Sequence, residues 1–439
     1  MTPTTPTLQP ATPTVEPATT TLRPTTAPDT ATAPGFPEPE VRRRARLGAP
    51  AAFPPAEAYG RVLLGAGAAP AGDGLDELRL VPPVFMPRRL AKLIDLGREP
   101  MYRDVDLATT IGGFAAPLPV YVSALGSTRA AGGDPGLALS RQAGALGVPM
   151  VIGENVVPVN GYGRPDEDAS RSLLGRLRAY TEQLPDGLGG VTVQQSTEDA
   201  DAEVWNLVYS DPAARALLDS GRLGFELKTG QGAKPGLGGM TVLDAAEAAR
   251  LDGRYGLDPD LLDGPYVLRS SSPGTFTAEI LRQQVRLMRN NFPRARTWVK
   301  LHPGRDVAEA ARVAADAGAD AVTVDGAEGG TGWAPLAFTA QVGLPLAACL
   351  GRLAADPVPC LLVSGRIWEG VRAAKCLALG ARAVGLGRAA LLAVAEDPER
   401  GLIRLLDCMA AELRLLASAL GKYSAAELGP EDLWAPGTP

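Results

Sequence analysis

The chain has 439 residues, of which 45% are hydrophobic, so it is long enough to bury at least one substantial core. Its formal net charge is −6, and its lysines and arginines are dispersed, which argues against nucleic acid as a partner. Its start lacks a signal-peptide pattern and no apolar run reaches about eighteen residues, so we expect a cytoplasmic protein without membrane contact.

The N-terminal segment, residues 1–37, consists almost entirely of threonine, proline, alanine and acidic residues. Such a composition cannot bury enough apolar area to offset the entropy of ordering, so we expect a disordered tail. Such a tail is either an extension without a function of its own or a docking or targeting arm. We expect residues 38–116 to form an N-terminal extension that packs on the main domain, residues 117–435.

From about residue 117, short β-branched runs alternate with helical stretches, a rhythm typical of βα units around parallel strands. The eight runs are Pro119 to Ala124, Pro149 to Glu154, Gly190 to Ser196, Phe225 to Gly230, Thr297 to His302, Ala321 to Gly326, Cys360 to Gly365, and Ala383 to Gly387. They predict an α/β fold, a (β/α)8 TIM barrel with long loop insertions after strands two, three and four. A doubly wound sheet is the alternative, but the glycine fingerprint after its first strand is missing.

Helices are predicted between the later strands and after the last. They are expected over Asp306 to Ala317, Leu336 to Leu353, Trp368 to Leu379, and Leu402 to Leu420. All four cysteines lie in this last quarter, at Cys349, Cys360, Cys376 and Cys408. Their wide spacing, without a C-x-x-C pair, predicts reduced thiols and neither a metal site nor an iron–sulfur cluster.

Glycines cluster where strands six, seven and eight end, as in Gly329, Gly365 and Gly387. Barrels bind phosphate with the loops after strands seven and eight, and glycine permits the close approach of the backbone. Arg366 and Arg388 directly follow two of these glycines and can bond an anion. The clusters therefore predict a phosphate-bearing cofactor, although glycines also end strands without any ligand.

Two lysines lie late in predicted strands, Lys228 in the fourth and Lys300 in the fifth. A charge there is costly unless it meets an anion or an electron-rich ligand, which makes both lysines candidates for catalysis. Strand alternation puts Lys300 on the same face as His302, the only histidine, and Lys228 on the same face as Glu226. The alternatives are a buried Lys–Glu pair and a histidine that is only packed.

The segment Lys228 to Gly239 contains Gln231 and Lys234 between glycines and a proline, and its amide and ammonium groups suit a carboxylate-bearing substrate. This segment resembles the FMN-binding synthase domain of glutamate synthases and their stand-alone relatives, where it lines the flavin and 2-oxoglutarate pocket. The similarity continues through Val299 to Leu301, Asp325 to Gly332, Ser364 to Gly370, Lys375 to Ala381, Gly385 to Arg388, Leu420 to Lys422 and Glu427 to Leu433.

The resemblance implies FMN as the cofactor and an oxidoreductase acting on the C–N bond of an amino or imino acid. Implied cofactor-binding residues are Ser123, Gln194, Lys300, Asp325, Gly329, Gly330, Thr331, Gly365, Arg366, Gly387 and Arg388. Implied substrate-binding residues are Lys228, Gln231, Lys234, Arg129 and Glu154. Lys300, Lys228 and His302 are the candidates for catalysis.

The sequence departs from the family around Ser123 to Arg129, at Gly153 to Val156 and at Trp333. These departures favour a second hypothesis, an FMN oxidase or dehydrogenase of a specialised small metabolite. A third hypothesis is a flavin-binding subunit that acts with an electron-donor or amidotransferase subunit, since neither an iron–sulfur motif nor a glutaminase nucleophile is recognised. We also expect a homo-oligomer.

Overall fold

The structure is a computed structural model. It describes residues 54–59, 74–85, 98–125, 135–153, 173–196, 202–230, 240–249, 255–270, 277–329 and 334–436. The expected tail over residues 1–37 lies outside these ranges, so its disorder stays a prediction.

Eight parallel strands form a closed barrel in which each strand pairs with its neighbours in chain order and the last pairs with the first. They are β1 (Val120–Leu125), β2 (Met150–Ile152), β3 (Val191–Ser196), β4 (Leu223–Thr229), β5 (Arg296–Leu301), β6 (Ala321–Asp325), β7 (Leu361–Ser364) and β8 (Ala383–Leu386). All eight predicted strands are present, and the predicted (β/α)8 barrel is confirmed.

Side chains alternate along each strand between the barrel interior and the surrounding helices. In β5, Val299 and Leu301 pack in the large apolar shell between strands and helices. Trp298 instead belongs to a separate apolar cluster inside the barrel, and Lys300 follows it on the same side of the strand. The alternation thus brings the lysine into the interior of the barrel.

Most of the helices surround the barrel, and α6 packs on the sheet inserted between β4 and β5. They are α1 (Gly74–Glu77), α2 (Pro135–Leu146), α3 (Leu173–Thr181), α4 (Ala202–Ser210), α5 (Arg215–Asp219), α6 (Ala245–Ala248), α7 (Ala278–Asn291), α8 (Val307–Asp316), α9 (Leu336–Gln341), α10 (Leu346–Leu353), α11 (Gly370–Ala378), α12 (Arg388–Glu396) and α13 (Gly401–Ala419). The single helix predicted over Leu336 to Leu353 is wrong, because Gly343 has a positive φ of 100° and Pro345 precedes α10, so the chain breaks between α9 and α10.

A hairpin of two short strands, Thr109–Ile111 and Phe114–Ala116, closes the amino-terminal end of the barrel. Its Phe114 ring lies 5.5 Å from that of Trp298, and the Trp298 indole donates to the carbonyl of Gly112 at 3.0 Å. Phe114 and Trp298 are both fully buried. Because this end is packed with aromatic side chains, a ligand can enter only from the carboxyl end of the strands.

The long connection between β4 and β5 contains a three-stranded antiparallel sheet formed by Thr241–Asp244, Gly256–Asp258 and Tyr266–Ser270. The insertion itself is expected from the sequence, but the sheet is not. Two more short strands, Arg79–Leu80 and Leu433–Trp434, pair in antiparallel fashion. This pairing connects the region after α1 to the C-terminal end of the described chain.

The four cysteines are unpaired, as predicted; Cys349 and Cys376 are buried, and Cys408 is exposed. Among the residues that the structure describes, no helix combines the length and apolarity required to cross a membrane.

Candidate active site

The barrel interior changes from apolar to polar along the strands. Toward the amino-terminal end, Tyr121, Val151, Trp298, Ala321 and Leu362 pack together with the hairpin. Two residues further along the strands, at the same interior positions, the side chains are Ser123, Lys300, Thr323 and Ser364. Burying these polar groups is costly unless they bond one another or a ligand, so this layer is the candidate site.

Glu226 is opposite Trp298 in the strand register, contacts Thr323 of the polar layer and is almost fully buried. Gln194 on the neighbouring strand donates its amide to one carboxylate oxygen at 2.5 Å, and Thr323 donates its hydroxyl to the other at 3.0 Å. Burial raises the pKa of Glu226, while the charge of Lys300 and these two hydrogen bonds oppose that rise. The carboxyl group of Glu226 is therefore harder to ionise than an exposed glutamate.

Lys300 forms an ion pair with Asp325, with 2.9 Å between the ammonium nitrogen and a carboxylate oxygen. Ser364 donates its hydroxyl to the other oxygen of Asp325, and the Ser123 hydroxyl lies 3.5 Å from that of Ser364. Lys228 is directly opposite Lys300 in the register between β4 and β5, so two ammonium groups come from neighbouring positions. The structure thus brings together Ser123, Lys228, Lys300 and Asp325 from the predicted site.

Tyr121 lies at the border between the two layers and is fully buried. Burial raises the pKa of its phenol well above the ordinary value, and the nearby charges of Glu226 and Asp325 raise it further. The phenol therefore stays protonated and borders both carboxylates.

His302 lies just beyond β5, at the mouth of the barrel, and is held in one orientation. Its Nδ1 lies 2.7 Å from the carbonyl oxygen of Thr229 at the end of β4. A carbonyl only accepts hydrogen bonds, so Nδ1 carries the hydrogen and Nε2 is the proton acceptor of the neutral ring. Gly230 and Gly304 flank the ring, and a Cβ atom at Gly230 would lie 2.8 Å from Nδ1.

The loops after β6, β7 and β8 meet where the sequence predicts a phosphate site. Gly326 donates its backbone N–H to the carbonyl of Ser364 at 2.8 Å, which joins the first two loops. Gly387 immediately precedes α12, and Arg388, the first residue of that helix, donates to the carbonyl of Glu328. Burial lowers the pKa of Arg388, and the charge of Arg366 lowers it further, so two guanidinium groups lie near one helix N-terminus.

Arg366 has a left-handed backbone with φ of 55°, a conformation that is unfavourable for a residue other than glycine. Its guanidinium pairs with Asp76 of α1. Arg372, which is fully buried, donates to the carbonyl of Gly365 at 3.1 Å and lies 3.3 Å from Asp76. Lys375 donates to the carbonyl of Leu75 at 2.9 Å. The loop after β7 and the helix α11 are therefore joined to α1 by three cationic side chains.

Several members of this site do not follow from the sequence reasoning. Thr323 and Ser364 could have been found by extending the strand alternation used for Lys300 to the next two strands. Asp76 carries no local signal, because it meets Arg366 across 290 residues of chain. The predicted cofactor residue Gly329 is the last residue of the 3-10 turn Ala327–Gly329, which follows β6.

Six predicted site residues lie outside the described ranges, and their roles stay predictions. They are Gly330, Thr331, Gln231, Lys234, Arg129 and Glu154. Within the described residues, no group of three or more histidines, cysteines and acidic residues is arranged to hold a metal ion.

Part of the chain matches a family model. Residues 274–397 match the model described as the conserved region in glutamate synthase. An archaeal-type glutamate synthase (NADPH) from Dehalococcoides mccartyi is 35% identical over 188 residues, which are 40% of this chain and 36% of that protein. A glutamate synthase large subunit-like protein from Rhizobium meliloti is 34% identical over 39% of this chain and 40% of its own length. The resemblance to the glutamate synthase family is confirmed over this part, and the match covers less than half of either relative.

A longer but weaker match is to an L-lactate dehydrogenase from Caulobacter vibrioides, which is 26% identical over 78% of this chain and 88% of that protein. Among solved structures, a mandelate oxidase variant with an FMN adduct superposes with a TM-score of 0.52 at 20% identity, over 82% of this chain and 88% of the other. A soluble mutant of (S)-mandelate dehydrogenase from Pseudomonas putida has the same TM-score at 19% identity and the same coverage. At such identities these structures support the barrel fold alone.

Proposed function

We propose that this protein is an FMN-dependent oxidoreductase of the glutamate synthase type, acting on the C–N bond of an amino or imino acid. The observation that carries the proposal is the buried Lys300 ammonium at the carboxyl end of the barrel, beside loops suited to phosphate. The match of residues 274–397 to the glutamate synthase region supports the same cofactor and chemistry.

The residues after β7 and β8 fit a terminal phosphate. Arg366 and Arg388 bring two positive charges close enough for one to lower the pKa of the other, an arrangement that a dianion would stabilise. The N-terminus of α12 adds the positive end of its dipole. Gly365, at φ of 146°, lets the backbone approach the ligand without a side chain.

The polar layer fits a flavin ring. When bound, FMN would supply the hydride acceptor and donor for oxidation of a C–N bond. Lys300 would stabilise negative charge on the ring, and Ser123 and Gln194 would offer hydrogen-bonding groups at its edge. Lys228, with Gln231 and Lys234, would orient a substrate carboxylate.

His302 supplies a route for the proton. Its Nδ1–H is committed to the Thr229 carbonyl, so Nε2 is the atom that would accept or return the substrate proton. The closed amino-terminal end of the barrel keeps water from reaching the site from below, which would limit hydrolysis of an imino acid before it reacts.

The cofactor test is direct. We expect the purified protein to show a flavin spectrum, and heat should release a compound with the mass of FMN. FAD, or the absence of any flavin after reconstitution with FMN, would contradict the proposal. Anaerobic bleaching of the flavin by L-glutamate or another amino acid, with no bleaching by 2-hydroxy acids, would support the C–N chemistry.

The second candidate is an FMN-dependent oxidoreductase of another small metabolite, such as a 2-hydroxy acid. It is favoured by the match to a lactate dehydrogenase over 78% of this chain. Bleaching by 2-hydroxy acids instead of amino acids would support this candidate.

A third candidate is a flavin-binding subunit. Because the chain matches less than half of the glutamate synthases, the supply of ammonia and electrons belongs to partners in this proposal. A protein that carries FMN but reacts only after neighbouring subunits are added would support it. A homo-oligomer, a cytoplasmic location and the lack of an iron–sulfur cluster stay predictions.

A further inference from the structure

The ammonium of Lys300 is already matched to a carboxylate within the protein. The pair with Asp325 spans 2.9 Å, and the two side chains are only 7% and 13% exposed. Water and salt screen such a pair far less than one on the surface, so each charge strongly reduces the field of the other. A lysine in this state presents much less than a full positive charge to a ligand above it.

Asp325 is itself held in place. Ser364 on β7 donates to one oxygen of the carboxylate, and this leaves the other oxygen to face Lys300. Asp325 and Ser364 are directly opposite in the register of β6 and β7, so the backbone ladder fixes both side chains. The carboxylate therefore has one position relative to the lysine.

The other charged groups around Lys300 cannot replace Asp325. Glu226 interacts with the charge of Lys300, but its two carboxylate oxygens accept from Gln194 and Thr323, whereas Asp325 is in direct ion-pair contact with the lysine. Lys228, opposite Lys300 in the strand register, adds a second positive charge. Asp325 is thus the anion placed to set the effective charge of Lys300.

We propose that Asp325 is a positioning residue that attenuates the charge of Lys300 and thereby lowers the midpoint potential of the bound flavin. This inference rests on the proposed FMN function. Lys300 favours the reduced, anionic ring, whereas Asp325 opposes it by neutralising Lys300. Removing one charge or the other should consequently move the potential in opposite directions, which a merely structural role would not produce.

The experiment compares variants of the full-length flavoprotein by dye-coupled potentiometry and by the affinity of the oxidised flavin for sulfite. Asp325→Asn should favour reduction at least tenfold, a rise of about 30 mV for a two-electron couple. Lys300→Met should give a fall of at least the same size. Asp320→Asn is the matched control, because Asp320 precedes the amino-terminal end of the same strand and accepts a hydrogen bond from the Thr297 backbone there. It should leave the potential unchanged.

A double variant separates action through the lysine from a direct effect on the flavin. In the Lys300→Met background, Asp325→Asn should shift the potential by less than half of its effect in the wild type. A full shift there, an unchanged potential in Asp325→Asn, or an equal shift in the control would overturn the inference. If Asp325→Asn does not fold, Ser364→Ala is the substitute variant. Loss of the Ser364 hydrogen bond concentrates negative charge on Asp325, so the midpoint potential of the flavin should fall. An unchanged or higher potential in Ser364→Ala would contradict the inference. A wild-type protein that binds no FMN would instead contradict the proposed function.

Discussion

Glu226 is a carboxylate enclosed by three neighbouring strands and bonded to Gln194 and Thr323. Its raised pKa means that the folded protein binds the proton more tightly than the unfolded chain does. The stability contributed by this group is therefore fully present below the ordinary glutamate range and is lost as the pH rises through the folded-state pKa.

Glu226→Gln should remove that loss. As the pH rises above the ordinary glutamate pKa of about 4.5, wild type should lose stability that the variant keeps. The unfolding free energy of the variant relative to wild type should therefore increase, by at most about 1.4 kcal/mol per pH unit. Urea denaturation across this pH range measures the difference. The exposed Glu309 provides a control, and Glu309→Gln should give a flat difference. A flat difference for Glu226→Gln would show that the buried acid is not coupled to folding.

Arg366 combines a strained backbone with a predicted phosphate contact. Arg366→Gly relieves the left-handed conformation, which costs about 1 kcal/mol, but loses the pair with Asp76. We expect little change in the unfolding midpoint, because these effects oppose each other. The dissociation constant for FMN should rise roughly 10- to 150-fold, as expected for a lost hydrogen bond to a charged group. Arg366→Lys keeps the charge and should lose less; equal FMN affinity in wild type and Arg366→Gly would remove Arg366 from the phosphate site.

The barrel strands were predictable because each is a short run of apolar residues that ends in glycine or a polar group. Alternation within β5 also predicted that Lys300 shares a face with His302, but it did not specify which face of the strand points inward. The sheet between β4 and β5 was not predictable in this way. Its strand Gly256–Asp258 is largely exposed and pairs through register with Tyr266–Ser270, so no apolar pattern marks it.

Contacts between distant elements also determine how much of the site can be predicted from the sequence. Lys300 meets Asp325 and Asp325 meets Ser364 because β5, β6 and β7 are neighbours in the barrel, and this could be inferred once the fold was assigned. The contact of Asp76 with Arg366 depends instead on where α1 docks. No periodicity in the chain specifies that position.

The hairpin below the barrel should contribute strongly to stability through Trp298. This ring is fully buried against Phe114 and donates to the Gly112 carbonyl. Trp298→Ala should lower the unfolding free energy by about 3–5 kcal/mol, because it leaves a cavity and an unpaired carbonyl. Trp434→Ala is the control, since that ring is 41% exposed and should change stability by less than about 1 kcal/mol. Equal effects in urea denaturation would show that the hairpin does not support the barrel.

At the scale of the whole molecule, one end of the barrel is filled by aromatic side chains and the other presents the polar layer. Among the predicted site residues that the structure describes, Ser123, Lys228, Lys300 and Asp325 lie at the end with the polar layer. Helix α1 reaches that end, where Asp76 pairs with Arg366 and Leu75 is fully buried. Residues 1–37 differ sharply in composition from the rest of the chain.

Deleting residues 1–37 should leave both the barrel and its cofactor content intact. Threonine, proline and alanine dominate this segment, so its removal takes away little apolar surface that a core could use. The urea midpoint and the ratio of flavin to protein absorbance should match those of the full chain. A deletion through residue 77 is the matched comparison, because it also removes Leu75, whose carbonyl accepts from Lys375, and Asp76, which pairs with two arginines. That longer deletion should lower the midpoint and weaken FMN binding, since it leaves Arg372 buried without the Asp76 carboxylate. Loss of flavin or solubility in the shorter deletion would assign the tail a role that its composition does not predict.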